Sequence, residues 1–145
     1  MSHTVTLEQQ EDFHFAIRFG DGIPPLHADE APPLGKGAGP TPDQLLAAAV
    51  GNCLSDSLLF ALRKFKQAPE PIRAAVEATV GRNAENRLRV QRIAVRLTLG
   101  VPGASLPRLE RALAQFESFC TVAESVRQGI AVEVQVFDST GARLK

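Results

Sequence analysis

Thr41-Pro42-Asp43-Gln44-Leu45-Leu46-Ala47-Ala48-Ala49-Val50-Gly51-Asn52-Cys53-Leu54, running on through Leu58, Leu59, Ala61 and Leu62 to about Lys66, decides the fold. Thr41 is a capping residue, Pro42 suits the first helical position, and Gln44 completes a capping box. The helix is apolar nearly all round in its first half, so burial on most sides is expected. Pro69 and Pro71 stop it. It carries Cys53, one of only two cysteines in the chain.

Upstream, Thr4–Leu7 and Phe13–Phe19 read as two short strands with a polar turn at Glu8–Asp12. Gly20-Asp21-Gly22 is a hairpin signal, and the Pro- and Gly-rich residues 23–42 form a long loop. Downstream, Ala74–Gly81 alternates as a strand, Asn83–Asn86 turns the chain, and a longer strand reaches Leu99. Its apolar phase slips between Leu88/Val90 and Ile93/Val95/Leu97, which predicts a bulge near Gln91-Arg92. Ser105 caps a predicted helix to about Ser118, whose stripe Leu106, Leu109, Leu113, Phe116 is closed by Cys120. Thr121–Glu124 reads as a second capping box starting a short helix, and Ile130–Phe137 is a last strand. This order predicts an α+β fold with an antiparallel sheet, built as one domain over residues 1–145.

The bulk numbers narrow the function classes. Sixteen basic and 16 acidic residues give zero formal charge, so no general pull on nucleic acid or anionic lipid is expected. No leader sequence is visible and no apolar run approaches 18 residues, which points away from a membrane span and towards a cytoplasmic protein. His3, His14 and His27 show no ligand spacing, so no metal site and no cofactor are expected. Arg82, Arg87, Arg89, Arg92 and Arg96 mark a solvated strand face, and Phe13, Phe15, Phe19 and Phe60 read as core. In a reducing compartment two thiols on core-facing helical positions invite a redox reading. Against it stands the plainer one, that Cys53 is a small buried hydrophobe and Cys120 a stripe residue.

Gly39–Leu54 resembles the (S/T/N)-P-x-(E/Q)-L-L-x-A-A-x-x-x-C helix of the OsmC/Ohr family of osmotically inducible and organic-hydroperoxide-resistance proteins. Phe119-Cys120-Thr121-Val122-Ala123-Glu124-Ser125-Val126 resembles that family's second cysteine motif. Ala28–Gly35 is similar to the loop of a less characterised branch. The resemblance implies antiparallel sheets wrapped around two central helices in an intertwined homodimer. It also implies a thiol-dependent peroxidase acting on organic hydroperoxides or hydrogen peroxide, with Cys53 attacking, Cys120 resolving, and an unidentified dithiol as reductant. Arg18, the only arginine of the N-terminal strands, and Asp43, ten residues before Cys53, stand in for the family's catalytic arginine and carboxylate. The chain lacks the Gly-Gly-Arg-Asp-Gly sequence of the hydroperoxide-resistance branch, and Asp43 replaces a glutamate. The alternative is a binding or redox-regulatory protein on the same scaffold.

The chemistry constrains these roles. Peroxide reduction needs a thiolate. Cys53 lies beyond reach of the helix N-terminal dipole, so a cation such as Arg18 is required. Ten helical residues span about 15 Å, so an Asp43 serving the Cys53 site must come from a partner subunit. Otherwise Asp43 only complements the helix dipole. Asn52, Ser55 and Asp56 are read as structural, with Asp56 pairing to Arg63 or Arg73 if buried.

Overall fold

A computed structural model describes Met1–Lys145. The chain forms two compact units, Met1–Leu46 and Ala47–Lys145, with the boundary inside the long helix. The α+β class holds, with two three-stranded sheets and three α-helices.

In the first unit, β1 (Thr6–Glu11), β2 (His14–Arg18) and β3 (Leu26–Ala28) form an antiparallel sheet in sequence order. The expected turn at Glu8–Asp12 is mostly strand; the chain reverses at Asp12, which takes φ 49°, and Phe13. β1 overlaps the predicted strand Thr4–Leu7 only at Thr6-Leu7, because all six of its residues are exposed and Glu8–Glu11 carries no apolar alternation to read. Phe13 and Phe19 are exposed rather than core, and β2 buries Ala16 and Ile17 instead. The following loop is organised by the buried Asp29 carboxylate. It accepts the backbone N–H groups of Glu30 at 2.8 Å, Lys36 at 3.1 Å and Ala38 at 3.0 Å, and these bonds hold it ionised below the usual carboxylate range.

The helix α1 spans Pro42–Lys64. Its start realises half a capping box: the Gln44 side chain accepts the Thr41 N–H at 2.9 Å, while the Thr41 hydroxyl donates to Asp43. Burial is confined to Ala47, Val50, Gly51, Leu54, Leu58, Ala61 and Leu62, a single stripe rather than most sides. Ala48, Ala49, Asn52, Asp56 and Phe60 are exposed along the remainder. By length and composition alone α1 is apolar enough to cross a membrane, which corrects the expectation that no apolar run approaches that length. Within the second unit its buried stripe instead packs in the core. Gly51 sits so close to Val76 that a Cβ there would lie 2.4 Å from its Cγ2. This close approach explains a glycine mid-helix, where it costs about 1 kcal/mol relative to alanine.

The second sheet is β4 (Arg73–Arg82), β5 (Leu88–Thr98) and β6 (Ala131–Phe137). Pairing steps from Thr79↔Arg92 to Val80↔Val90, leaving Gln91 as the extra residue, where the phase slip predicted a bulge. β6 pairs with β5 in parallel, correcting the all-antiparallel expectation. The connection between them runs through α2 (Leu109–Gln115), a 3₁₀ turn at Phe116–Phe119, and α3 (Thr121–Arg127). α2 starts at Leu109, not after Ser105, because Pro107 and a 3₁₀ turn at Gly103–Ser105 intervene. The predicted stripe is nonetheless buried throughout: Leu106, Leu109, Leu113, Phe116 and Cys120 all face the core. Beyond β6, the buried Asp138 accepts N–H groups of Gly103, Thr140 and Ala142 at 2.8–3.0 Å and the Thr140 hydroxyl at 2.7 Å, which lowers its pKa to about 2.

Candidate active site

Cys53 lies in the middle of α1, one helical step past the buried stripe residue Val50 and two residues past Gly51. Its thiol is free and half-buried, neither sealed in hydrocarbon nor fully open. Cys120 is free and fully buried. Cys53, and Ser57 from the next turn of α1, lie close enough to the Cys120 thiol to shift its titration. The fold therefore brings the two cysteines to one place in the second unit.

Cys120 is set by its backbone as much as by its burial. It is extended, at φ −80° and ψ 98°, between the 3₁₀ turn and α3. That makes it the capping residue of α3, where its sulfur accepts the Ala123 N–H at 3.4 Å. The capping box read from the sequence places the cap at Thr121, which is instead the first helical residue. Burial first, and the nearby Cys53 second, push the Cys120 thiol up to about 11, with the Ala123 N–H and Ser57 partly opposing the rise. At neutral pH Cys120 is thus a thiol.

Ser57 was not singled out from sequence. The signal that could have found it is its i+4 spacing from Cys53, which puts both side chains on one helix face. Asn52 and Asp56 hydrogen-bond to each other at 2.9 Å on the exposed side, and Ser55 donates to the Gly51 carbonyl at 2.7 Å. Asp56 is not a buried charge, and Arg63 pairs with Glu70 instead.

The other two candidates belong to the first unit. Arg18 ends β2, is exposed, and lines an open hollow of about 410 Å³ with Thr4, Thr6, Asp21 and Ile23. Asp43 is half-buried in the first turn of α1, its carboxylate engaged by the Thr41 hydroxyl. Two of the histidines meet: His14 Nε2 and His27 Nδ1 are 2.8 Å apart across β2 and β3. Among the strand arginines, Arg92 is held between Glu133 and Glu77, and Arg96 lies 3.8 Å above the Phe137 ring. Phe60 is 69% exposed, so it too leaves the expected core.

Comparison with known proteins places this geometry. The chain superimposes on an OsmC-like protein of Vibrio cholerae with a TM-score of 0.79 at 18% identity, covering 94% of this chain and 99% of that one. An organic hydroperoxide resistance protein from Legionella pneumophila matches with a TM-score of 0.70 at 19% identity, over 94% and 96% of the two chains. The organic hydroperoxide resistance protein OhrB of Bacillus subtilis matches at 0.68 and 14% identity, over 94% and 98%. At these identities the likeness is one of fold. No curated protein matches the chain. The family model described as OsmC-like protein matches residues 35–135, which include α1 and both cysteines. The chain belongs to the OsmC-like protein family.

Proposed function

We propose that this chain, as one domain over residues 1–145, is a thiol-dependent peroxidase that works as a cytoplasmic homodimer. Membership in the OsmC-like family and the hydroperoxide-resistance proteins among its structural neighbours support a peroxide-related redox role. The observation that carries the finer reading is the asymmetry of the two adjoining thiols. The half-open Cys53 is reachable by a small substrate, and the buried Cys120 is held protonated beside it.

The Cys53 thiolate attacks the distal oxygen of a hydroperoxide, breaking the O–O bond. The alkoxide or hydroxide leaves and is protonated, and Cys53 becomes a sulfenic acid. Cys120 then attacks the sulfenic sulfur, the S–O bond breaks, and water leaves as the disulfide forms. A dithiol of the cell reduces that disulfide and restores both thiols. Arg18 is the proposed cation that stabilises the thiolate and the departing oxyanion, because a guanidinium stays charged and offers a bidentate face. Asp43 is the proposed carboxylate that orients it. Since Asp43 is about 15 Å along the helix from Cys53, its contribution comes from the partner's Asp43, and turnover requires the dimer. The exposed line Ala48, Asn52, Asp56, Phe60 on α1 supports a partner chain at that helix.

The test is consumption of cumene hydroperoxide or hydrogen peroxide by the purified chain with dithiothreitol or dihydrolipoamide. Dithiol-dependent turnover is expected, with Arg18→Ala lowering kcat/KM by about a hundredfold and Arg18→Lys by less. A chain that consumes no peroxide with either dithiol contradicts the proposal and favours a binding protein on this scaffold.

A further inference from the structure

We propose that Glu117, Arg127 and Lys145 form an ionic latch that holds the Cys120 joint against Cys53, making them positioning residues for the resolving step. The inference rests on the two-cysteine reading above. Its evidence is a set of contacts that surround Cys120 without touching either sulfur.

Cys120 is carried by two short elements, a single 3₁₀ turn before it and a seven-residue helix after it. Elements this short have little stability of their own. Something must therefore fix the joint. The Cys120 N–H donates to the Glu117 carbonyl at 3.0 Å, so the Glu117 backbone sets where Cys120 begins. The Glu117 side chain then collects two cations from elsewhere in the chain. Arg127, at the end of α3, donates from Nη2 to Glu117 Oε1 at 2.9 Å, and Lys145, which folds back beside β6, donates from Nζ to Oε2.

Each cation is anchored a second time. Arg127 also bonds Glu124 within α3 and the Val132 carbonyl of β6 at 3.4 Å. Lys145 Nζ donates to the Leu113 carbonyl of α2 at 3.0 Å and stands 5.1 Å from the centre of the buried Phe116 ring. The residues on either side of Cys120 are thus tied to each other across it, and both are tied to α2 and β6. The Glu117 side chain is only 19% exposed, so these pairs are screened less than open surface pairs.

The latch bears on one chemical step. A disulfide needs the two Cα atoms within about 7 Å and a narrow torsional geometry. When Cys120 attacks the Cys53 sulfenic acid, the S–S bond forms and the S–O bond breaks. The thiol proton and the sulfenic hydroxyl leave together as water, with one sulfur oxidised and the other reduced. Fixing the joint beforehand raises the effective concentration of the Cys120 sulfur at Cys53. It does nothing for the first attack on peroxide.

The experiment is a thiol–disulfide equilibrium of the full-length chain against reduced and oxidised dithiothreitol, for wild type, Glu117→Gln, Lys145→Gln and Arg127→Lys. Glu117→Gln is expected to weaken the Cys53–Cys120 disulfide about tenfold, raising its reduction potential by about 30 mV. Lys145→Gln should give a smaller shift of the same sign, and it guards against a folding defect because Lys145 lies outside every helix and strand. Arg127→Lys, which keeps the charge, should stay within about threefold of wild type. Potentials unchanged in both Gln variants, or shifted the other way, overturn the latch. The measurement uses no peroxide. A chain that shows the shift but consumes no peroxide loses the peroxidase reading alone, and a chain that turns over with unshifted variants loses the latch alone.

Discussion

Cys53 and Cys120 share one side-chain chemistry and occupy opposite surroundings. The first sits in mid-α1, a 23-residue helix whose Gly51 is pressed against Val76, and its thiol is half-open. The second sits at the one extended residue between a 3₁₀ turn and a seven-residue helix, and its thiol is fully buried. A stiff helix presents the reachable sulfur, and a jointed segment presents the sheltered one. The difference teaches how a single fold can give two identical groups different surroundings: Cys53 stays open to small molecules, while Cys120 is buried and its sulfur is tied to the start of α3.

The largest expected effect breaks the pair outright. Cys53→Ser should lower peroxide turnover by about a thousandfold or more, because the nucleophile itself is gone. Cys120→Ser should keep a near-normal first turnover, seen as a single-turnover burst, and then inactivate as Cys53 is driven to sulfinic acid. Equal losses at both stages in both variants would mean that the two thiols do not divide the work.

A second intervention moves the rigid side. Gly51→Val sets a branched side chain where even a Cβ comes within 2.4 Å of Val76 Cγ2. Thermal or urea unfolding should show a loss of about 2–3 kcal/mol, the overpacking exceeding any gain in helix propensity. A variant as stable as the wild type would show that α1 can lift from β4 at little cost.

Stability should also separate the cysteines. Cys120→Ala removes a buried sulfur and the acceptor for the Ala123 N–H, at a cost of about 1–2 kcal/mol in urea unfolding. Cys53→Ala, on a half-open position, should stay within about 0.5 kcal/mol.

The smallest effect is a pH slope. The Cys120 thiol is raised from about 9 to about 11 in the folded chain, so the unfolded chain releases its proton first. Its contribution to stability is complete below about pH 9 and declines as pH rises towards about 11. In Cys120→Ala that part of the alkaline decline should vanish from denaturation curves, whereas in Cys53→Ala it should persist.

Much of this arrangement was readable from residues because burial imposes a period. The slip from Leu88/Val90 to Ile93/Val95 located the bulge at Gln91, and the 3–4 spacing from Leu106 to Cys120 marked a buried stripe even where the helix is interrupted. Strand direction was not readable: the alternation of Val132, Val134 and Val136 is the same for parallel and antiparallel neighbours. Only the start of β1 was legible because Glu8–Glu11 buries nothing, and Phe13, Phe19 and Phe60 misled because composition says what a side chain prefers, not what covers it. The cap at Cys120 was missed because threonine is the better-known capping residue, and a sulfur can accept an N–H when the backbone turns there. The meeting of Cys53 with Cys120 and Ser57 depends on how α1 lies against the α2–α3 segment, which no local pattern encodes.

The central claim is tested most directly by adding one equivalent of hydroperoxide to the reduced chain and mapping both cysteines by mass spectrometry with a sulfenic-acid-trapping dione present. The account predicts an intrachain Cys53–Cys120 disulfide in the wild type and dione-labelled Cys53 in Cys120→Ser. Two unmodified thiols after exposure, or a dione adduct on Cys120 in place of Cys53, would contradict it.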